Sequence, residues 1–140
     1  MKSAYSIENV DWKSVAALFI EVGWGQRDPM EIHAAFQKSS HVIFIYEENE
    51  LIAFGRTMDD GRYYAMLVDV VVKPDRQKSG LGREVVSYLK DQMGSYKFIT
   101  LTAAPGKEAF YLKLGWLRQA TALIWPLSET QREQHTKQSA

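Results

Sequence analysis

The chain of 140 residues contains no cysteine. This absence excludes disulfide bonds, thiolate zinc sites and a cysteine nucleophile, so any catalysis must use other side chains. An excess of charge is also lacking, because 17 Lys and Arg residues balance 17 Asp and Glu residues. Proteins that bind nucleic acid or anionic membranes usually carry a basic excess. The balance therefore favours a small-molecule ligand, with neither nucleic acid nor membrane as a partner.

Long apolar runs are missing as well. The first residues, MKSAYSIENVDW, lack the apolar stretch of a secretion signal, and no run approaches the roughly 20 residues that cross a bilayer. We therefore expect a cytoplasmic protein. The histidines, His33, His41 and His135, show no metal-ligand spacing, so no metal site is expected.

What the chain does have is a hydrophobic share of 46%, which is typical of one compact domain. No internal repeat or linker interrupts it. We expect a single domain over residues 1–127, followed by a polar C-terminal tail over residues 128–140 that frays.

Hydrophobic periodicity predicts the order of the elements. Helices are expected over 11–22, from Asp28 towards Lys38, over 80–93 and over 107–114, and strands over 41–47, 51–58, 63–72, 98–103 and 122–125. The strand over 63–72 is almost entirely apolar and should lie at the centre of a sheet. A right-handed crossover through the helix over 80–93 should make this strand and the one over 98–103 parallel neighbours.

The loop between that central strand and the next helix carries the strongest signal. It contains two glycines and polar residues at a helix start, namely Gln77, Lys78, Ser79, Gly80, Leu81, Gly82 and Arg83. Free backbone N–H groups and the positive end of a helix dipole bind phosphate there. The alternative is that a strand-to-helix turn simply needs small residues. The spacing matches neither a Walker loop nor a dinucleotide fingerprint.

The loop resembles the acetyl-CoA signature of the GNAT superfamily of N-acyltransferases, [Q/R]-x-x-G-x-[G/A] after V-x-P. The matching residues are Val72, Pro74, Gln77, Gly80 and Gly82. A second family element, F-Y-x-x-x-G-[F/W], stands at Phe110, Tyr111, Gly115 and Trp116. The resemblance covers nearly the whole chain. It implies an α+β, three-layer fold with about four helices and a mixed, mostly antiparallel sheet of six to seven strands, in which a parallel pair surrounds the acetyl-CoA site.

A narrower resemblance covers the stretch from Ile52 to Val72. It is similar to small bacterial and plastid enzymes typified by serotonin-type or arylalkylamine N-acetyltransferases, which share the spacing R-x-x-x-D…A-x-x-x-D-V-x-V. The chain departs from them after the fifth strand, where it reads Ala103 to Gly106 in place of an acidic residue. The acceptor substrate of that subgroup therefore does not carry over.

The resemblance implies a division of roles around acetyl-CoA as cosubstrate. The backbone of Val70, Val71 and Val72 pairs with the pantetheine arm, and one of its N–H groups polarises the thioester carbonyl as an oxyanion hole does. The glycine loop over residues 77–83 holds the pyrophosphate. Tyr111 lies near the sulfur and protonates the leaving thiolate, although a buried tyrosine that merely finds a hydrogen-bond partner is the alternative.

Asp69 is the candidate general base, because it is the lone carboxylate of an apolar strand. The alternatives are an ion pair with Arg56, or binding of the substrate ammonium without proton transfer. The acceptor pocket is expected to involve Trp24, Arg56 and Tyr63, where aromatic rings suit an amine. Ordinary packing of these side chains is the competing interpretation.

The expected activity is transfer of acetyl from acetyl-CoA to a primary amine, by direct attack in a ternary complex, with a small-molecule acceptor favoured. One alternative is a non-catalytic domain that binds acyl-CoA. Another is an enzyme that acetylates protein lysines or amino termini. A homodimer is expected only by analogy with the fold.

Overall fold

A computed structural model describes residues 1–136 of the chain. The chain divides into two compact units, Met1–Thr102 and Ala103–Ala140. The single domain expected from the sequence remains a prediction. None of the helices within residues 1–136 is long and apolar enough to cross a membrane.

The first unit contains three helices and all five strands of the described residues. Its elements are β1 (Lys2–Ala4), α1 (Trp12–Glu21), α2 (Pro29–Phe36), β2 (Val42–Glu47), β3 (Glu50–Asp59), β4 (Tyr64–Val72), a 3-10 turn (Pro74–Arg76), α3 (Leu81–Gln92) and β5 (Phe98–Leu101). Asp11 and Asp28 cap α1 and α2, each accepting a hydrogen bond from the backbone N–H two residues further on. Pro29 occupies the first turn of α2, where its missing N–H costs nothing.

The sheet has five strands in the order β1-β2-β3-β4-β5. The first four are antiparallel neighbours, and β4 and β5 are parallel. The mixed, mostly antiparallel sheet and the βαβ unit predicted from the sequence are therefore confirmed.

Helices cover both faces of this sheet. Phe54 of β3 packs in a buried cluster with Phe19 of α1 and Phe36 of α2. The next residue, Gly55, faces the opposite side, where a Cβ atom would lie 2.5 Å from Val85 Cγ1 of α3. α3 thus packs directly on the backbone of β3, and the unit has three layers.

The second unit contains α4 (Glu108–Lys113) and α5 (Glu129–His135). α5 lies in the predicted polar tail; the expectation that this tail frays stays a prediction. Ser128 explains the helix, because its hydroxyl oxygen accepts a hydrogen bond from the N–H of Gln131 and caps the first turn. The rest of the predicted tail, residues 137–140, lies outside the described residues.

Three further expectations need correction. Within residues 1–136 the structure has five strands rather than six to seven, and five helices rather than about four. The predicted strand over 122–125 forms no strand there. A strand needs a partner for its backbone ladder, and residues 117–126 make no hydrogen bond with any other backbone segment in the described structure.

Candidate active site

β4 contains a bulge at Asp69. Phe54 pairs with Val71 and Arg56 pairs with Val68, so that Gly55 alone faces two residues of β4. Asp69 has a positive φ of 53°, which few residues other than glycine adopt. A bulge re-aims the side chains around it. Here it places Asp69 on the same face of the sheet as Arg56, the face that α1 and α2 cover.

Beyond the bulge, β4 has a free edge. The parallel pairing with β5 ends where Leu67 faces Leu101, whereas β4 continues to Val72. In the described residues no strand pairs with the β5-side edge of residues 68–72. This stretch includes the predicted cofactor-binding residues Val70, Val71 and Val72. Such an edge offers backbone N–H and C=O groups to an extended ligand.

The predicted phosphate loop connects this strand to α3. Gly80 precedes the helix with φ of 90°, and its position has no side-chain cap. The first N–H groups of α3, from Leu81 to Arg83, therefore point out of the helix without an intrahelical partner. Gln77 and Ser79 hold the loop itself: Gln77 Nε2 donates to the carbonyl of Val72 at 3.1 Å, and the Ser79 hydroxyl donates to the carbonyl of Arg76.

The basic residues around the loop fall into two groups. Arg76 pairs with Glu47, and Lys73 pairs with Glu21 and Glu50. Lys78 and Arg83 are exposed, and across residues 1–136 neither of them forms an ion pair. Two cations therefore flank the amino terminus of α3 and are available to an anion.

A cavity of about 330 Å³ lies between the helices α1 and α2 and the sheet. It is lined by Phe19, Arg27, Asp28, Glu31, Ile32, Ala35, Phe36, Arg56 and Asp69. The lining contains apolar surface together with three carboxylates and two guanidinium groups. Its formal charge is one negative unit, which suits a cation with an apolar body.

Asp69 and Arg56 form the floor of this cavity. Arg56 Nε donates to Asp69 Oδ2 at 2.7 Å, and the two side chains are only 14% and 12% exposed for Arg56 and Asp69 respectively. Arg56 also donates to the hydroxyl of Ser39 at 3.3 Å. The ion pair that the sequence left as an alternative for Asp69 is present, and its role as a base stays a prediction.

Arg27 also approaches the Asp69 carboxylate. Its guanidinium lies 4.2 Å from the centre of the Phe19 ring and 3.7 Å from Asp69 Oδ1. Trp24 packs against Phe19 at 5.7 Å between ring centres, and so supports the cavity wall without lining it. Arg27 was not predicted from the sequence; its only signal there is a lone cation in the loop GWGQRD over residues 23–28.

Tyr63 is not brought to this cavity. It directly precedes β4, is 53% exposed, and its carbonyl accepts hydrogen bonds from the N–H groups of Lys97 and Phe98. Its ring packs edge-on against Tyr64. The substrate-binding role predicted for Tyr63 therefore has no support from the position of this cavity.

Tyr111 lies in α4, in the second unit. Its ring packs edge-on against Phe110 at 5.0 Å and Trp116 at 6.4 Å between centres. Burial raises the pKa of Tyr111 to about 12. The phenol is therefore fully protonated at neutral pH and can act as a hydrogen-bond donor.

The chain is similar in sequence to known proteins. The model of the "Acetyltransferase (GNAT) family" matches residues 3–116. An uncharacterised N-acetyltransferase, ycf52, of Porphyra purpurea is 32% identical over 84% of this chain and 72% of its own length. The chloroplastic serotonin N-acetyltransferase 2 of Oryza sativa subsp. japonica is 30% identical over 84% of this chain and 62% of its own length.

A solved structure has the same fold. It is a probable acetyltransferase of unknown function from meticillin-resistant Staphylococcus aureus, with a TM-score of 0.78 at 18% identity. The match covers 91% of this chain and 98% of the other. The likeness supports the α+β architecture, with its mixed sheet, that the resemblance implied.

Proposed function

Because the chain belongs to the acetyltransferase (GNAT) family and is an acyltransferase enzyme, we propose that it moves acetyl from acetyl-CoA to the primary amine of a small molecule. The amine nitrogen attacks the thioester carbonyl carbon, the C–S bond breaks with the electron pair going to sulfur, and the attacking nitrogen loses a proton to solvent, so that the neutral amide and coenzyme A form without an acyl-enzyme. The observation that carries this proposal is the free edge of β4 over residues 68–72, which runs through a short loop into the uncapped amino terminus of α3.

On the cosubstrate side, the two parts of this arrangement suit the two parts of acetyl-CoA. The free edge can pair with the amide groups of the pantetheine arm, and a backbone N–H of Val70 or Val72 can donate to the thioester oxygen, where negative charge develops. The N–H groups of residues 81–83, together with Lys78 and Arg83, suit the pyrophosphate.

On the acceptor side, the cavity next to Asp69 suits an amine. Asp69 follows the residues of β4 that pair with β5 and directly precedes Val70, so the cavity floor adjoins the free edge. Oδ2 accepts from Arg56, whereas Oδ1 lies 3.7 Å from Arg27, beyond hydrogen-bond distance. Oδ1 is therefore the oxygen that can hold the substrate ammonium and accept its proton before attack.

The role of Tyr111 follows from its motif and its pKa. Coenzyme A leaves as a thiolate, and thiols have a pKa of about 8.5. Full proton transfer from a phenol with a pKa of about 12 would be uphill. We therefore assign Tyr111 a hydrogen bond to the departing sulfur, which lowers the charge on the leaving group without requiring the phenol to ionise.

A thiol-release assay and a thermal shift assay, run in parallel with acetyl-CoA, test the proposal. The acceptor panel comprises arylalkylamines, polyamines, amino acids, amino sugars and lysine peptides; arylalkylamines come first because of the serotonin N-acetyltransferase of rice. Turnover with a small amine supports the proposal. Turnover with lysine peptides alone overturns the small-molecule acceptor, and stabilisation by acetyl-CoA without turnover on any class identifies a non-catalytic binder. Absence of stabilisation would contradict the acetyl-CoA site.

A further inference from the structure

The two arginines that line the cavity beside Asp69 differ in their hydrogen bonds. Arg56 is engaged, since its Nε donates to Asp69 Oδ2 at 2.7 Å and its Nη1 donates to the Ser39 hydroxyl at 3.3 Å. Across residues 1–136 the side chain of Arg27 donates no hydrogen bond, and its approach to Asp69 Oδ1 stops at 3.7 Å. The N–H donors of the Arg27 guanidinium are therefore available to a ligand.

An aromatic ring fixes this guanidinium at the cavity wall. The central carbon of the Arg27 guanidinium lies 4.2 Å from the centre of the Phe19 ring, and Phe19 is itself fully buried in the core. A cation–π contact holds the charge in place without supplying the oxygen acceptors that the N–H groups need. A guanidinium presents a planar fork of donors that matches the two oxygens of a carboxylate. The position of Arg27 therefore suits an anionic group of the ligand.

The carboxylates of the cavity are mostly compensated. Asp28 caps α2, where its Oδ1 accepts from the N–H of Met30 at 2.9 Å, and Glu31 lies in the first turn of the same helix. The positive end of the helix dipole offsets part of both negative charges. Arg56 and Asp69 balance each other as an ion pair. The cavity therefore also suits a ligand that carries one positive and one negative group and has no net charge.

We propose that the acceptor is a zwitterionic α-amino acid with an apolar side chain, whose ammonium is held by Asp69 Oδ1 and whose carboxylate is held by Arg27. This inference rests on the acetyl transfer proposed above and names the class of amine. The α-amino nitrogen forms the new N–C bond, and the thioester C–S bond breaks with its electron pair on sulfur. The products are an N-acetylated amino acid, coenzyme A and one proton released to solvent.

The short separation of Asp69 and Arg27 suits this zwitterion. The ammonium and the carboxylate of an α-amino acid are attached to the same carbon, so the two charges stay adjacent. Placed against Asp69 Oδ1 and the Arg27 guanidinium, they complete a ring of four charges whose signs alternate, and every charge has neighbours of opposite sign. An amine without a carboxylate would place its ammonium beside the guanidinium with no anion between them. The arrangement therefore favours the zwitterion over the simple amine.

The rest of the cavity lining selects the side chain of the amino acid. Phe19, Ile32, Ala35 and Phe36 supply the apolar surface. The volume of about 330 Å³ is small for a ligand site and suits a molecule of this size. A charged side chain would lose its hydration against this surface without gaining a partner. Apolar side chains, including aromatic ones, are therefore expected.

Three acceptors that share one aromatic ring isolate the role of the carboxylate. L-Phenylalanine carries this group, whereas phenethylamine and L-phenylalaninamide lack it. Phenethylamine has a more basic amine than phenylalanine and the amide has a less basic one, so basicity alone cannot rank phenylalanine first. In thiol-release assays with acetyl-CoA, kcat/KM for L-phenylalanine should exceed both other values by about 10-fold. A value that does not exceed both would overturn the inference, while transfer to a small amine would stand.

Arg27→Gln tests the residue that distinguishes these acceptors. The value of kcat/KM for L-phenylalanine should fall by about 10- to 100-fold, mostly through KM, whereas the value for phenethylamine should stay the same or rise. Arg27→Lys keeps the charge without the fork and should recover part of the loss. Arg62→Gln, the same exchange at an exposed position, is the control and should behave as the native enzyme. Equal losses for both acceptors in Arg27→Gln would indicate a structural role and refute the assignment.

Isothermal titration calorimetry in the presence of coenzyme A separates the amino-acid site from the reaction. L-Phenylalanine should bind the native chain at least about 10-fold more tightly than it binds Arg27→Gln. If binding follows this pattern and no acceptor turns over, the proposed transfer fails and the amino-acid site stands. If L-phenylalanine does not bind the native chain, or binds Arg27→Gln equally well, the amino-acid site is refuted.

Discussion

Arg56 and Asp69 are joined across the β4 bulge, where Arg56 Nε donates to Asp69 Oδ2 at 2.7 Å. The pair occupies one carboxylate oxygen and directs the other towards the cavity, where Arg27 approaches Oδ1 to 3.7 Å. Counted back from Val71, which packs in the cluster with Phe19 and Phe54, strand alternation places Asp69 on the face that α1 and α2 cover. The bulge adds one residue opposite Gly55 and so brings this carboxylate close to Arg56, which pairs with Val68.

Asp69→Asn should reduce kcat/KM for the amine by about 100-fold, because the amide can neither accept the proton of the ammonium nor balance its charge. Acetyl-CoA should still raise the melting temperature as in the native enzyme. Initial rates of thiol release and thermal shifts measure the two effects. Asp91→Asn, an exposed substitution on α3, is the control and should change neither. Native turnover in Asp69→Asn would mean that the proton leaves by another route.

Gly82→Glu should abolish acetyl-CoA binding without lowering the stability of the unliganded protein. A glutamate in the first turn of α3 interacts favourably with the helix dipole and has a better helix propensity than glycine, so the unliganded protein should be at least as stable as the native one. The same negative charge at the helix amino terminus should abolish the thermal shift produced by acetyl-CoA. Gln92→Glu places the same side chain at the other end of α3 and should bind normally. Retained binding in Gly82→Glu would rule out this loop as the pyrophosphate site.

Tyr111→Phe should lower turnover by about 10-fold or more through loss of a hydrogen bond to the leaving sulfur, while leaving acetyl-CoA binding intact. The pKa of about 12 adds a pH criterion: because the phenol stays protonated, the native rate should show no loss from Tyr111 ionisation up to about pH 10. Rate profiles against pH for the native and variant enzymes measure both effects. Tyr5→Phe is the control. Equal rates in Tyr111→Phe and the native enzyme would exclude the proposed hydrogen bond.

Gly55→Ala should destabilise the protein by about 1–3 kcal/mol, a usual cost of overpacking. The new Cβ would lie 2.5 Å from Val85 Cγ1 and 3.0 Å from Leu89 Cδ1. Adding Val85→Ala should recover part of the loss, because it removes the nearer contact. Urea unfolding measures the free energies, and Gly94→Ala, whose Cβ would meet only a backbone oxygen at 3.4 Å, should have a small effect. Additive losses in the double variant would contradict the close approach of α3.

Asp59 should make stability sensitive to acid. Partial burial would raise its pKa, but hydrogen bonds from Thr57, Ser40 and Tyr96 outweigh that effect and lower the pKa to about 2. A group whose pKa is lower in the folded state stabilises the fold above its unfolded value, near pH 4, and the contribution disappears as the pH falls from about 4 to about 2.

Asp59→Asn should therefore cost about 1–2 kcal/mol at pH 7, a figure reduced for solvent screening, and should lose less stability than the native protein between pH 4 and pH 2. Urea unfolding at several pH values measures the slope. Asp91→Asn should follow the native curve. Parallel curves for Asp59→Asn and the native protein would show that another group controls acid unfolding.

Local signals in the sequence predicted a large part of the fold. Asp11 and Asp28 are capping residues, and each predicts the start of a helix, α1 or α2. The change from the apolar strand to the glycine loop predicts β4, α3 and β5. These signals are readable because each depends on neighbours within a few residues. The short strand β1 was missed, since three residues carry too little pattern.

The interior of the candidate site was less predictable. The bulge depends on the register between β3 and β4, which brings Gly55 opposite Asp69 and has no local signature. Arg27 reaches Asp69 only because the loop after α1 returns over the sheet. Tyr63 was expected in the acceptor pocket by its aromatic character; it does not line the cavity beside Asp69, and its role stays a prediction. The pattern over 122–125 predicted a strand. A strand forms only when a second strand pairs with it, and the pattern of one segment does not show whether that partner is present.

The order of the strands in the sheet is also their order along the chain. Each new strand therefore adds to the outer side of the one made just before it, and none must be inserted between two strands already paired. During synthesis, which proceeds from the amino terminus, β1 to β4 can assemble as successive local pairings, and only β5 must wait for a crossover helix. The edge of β4 over residues 68–72 pairs with β3 and not with β5, so it can be in place before α3 and β5 join the sheet.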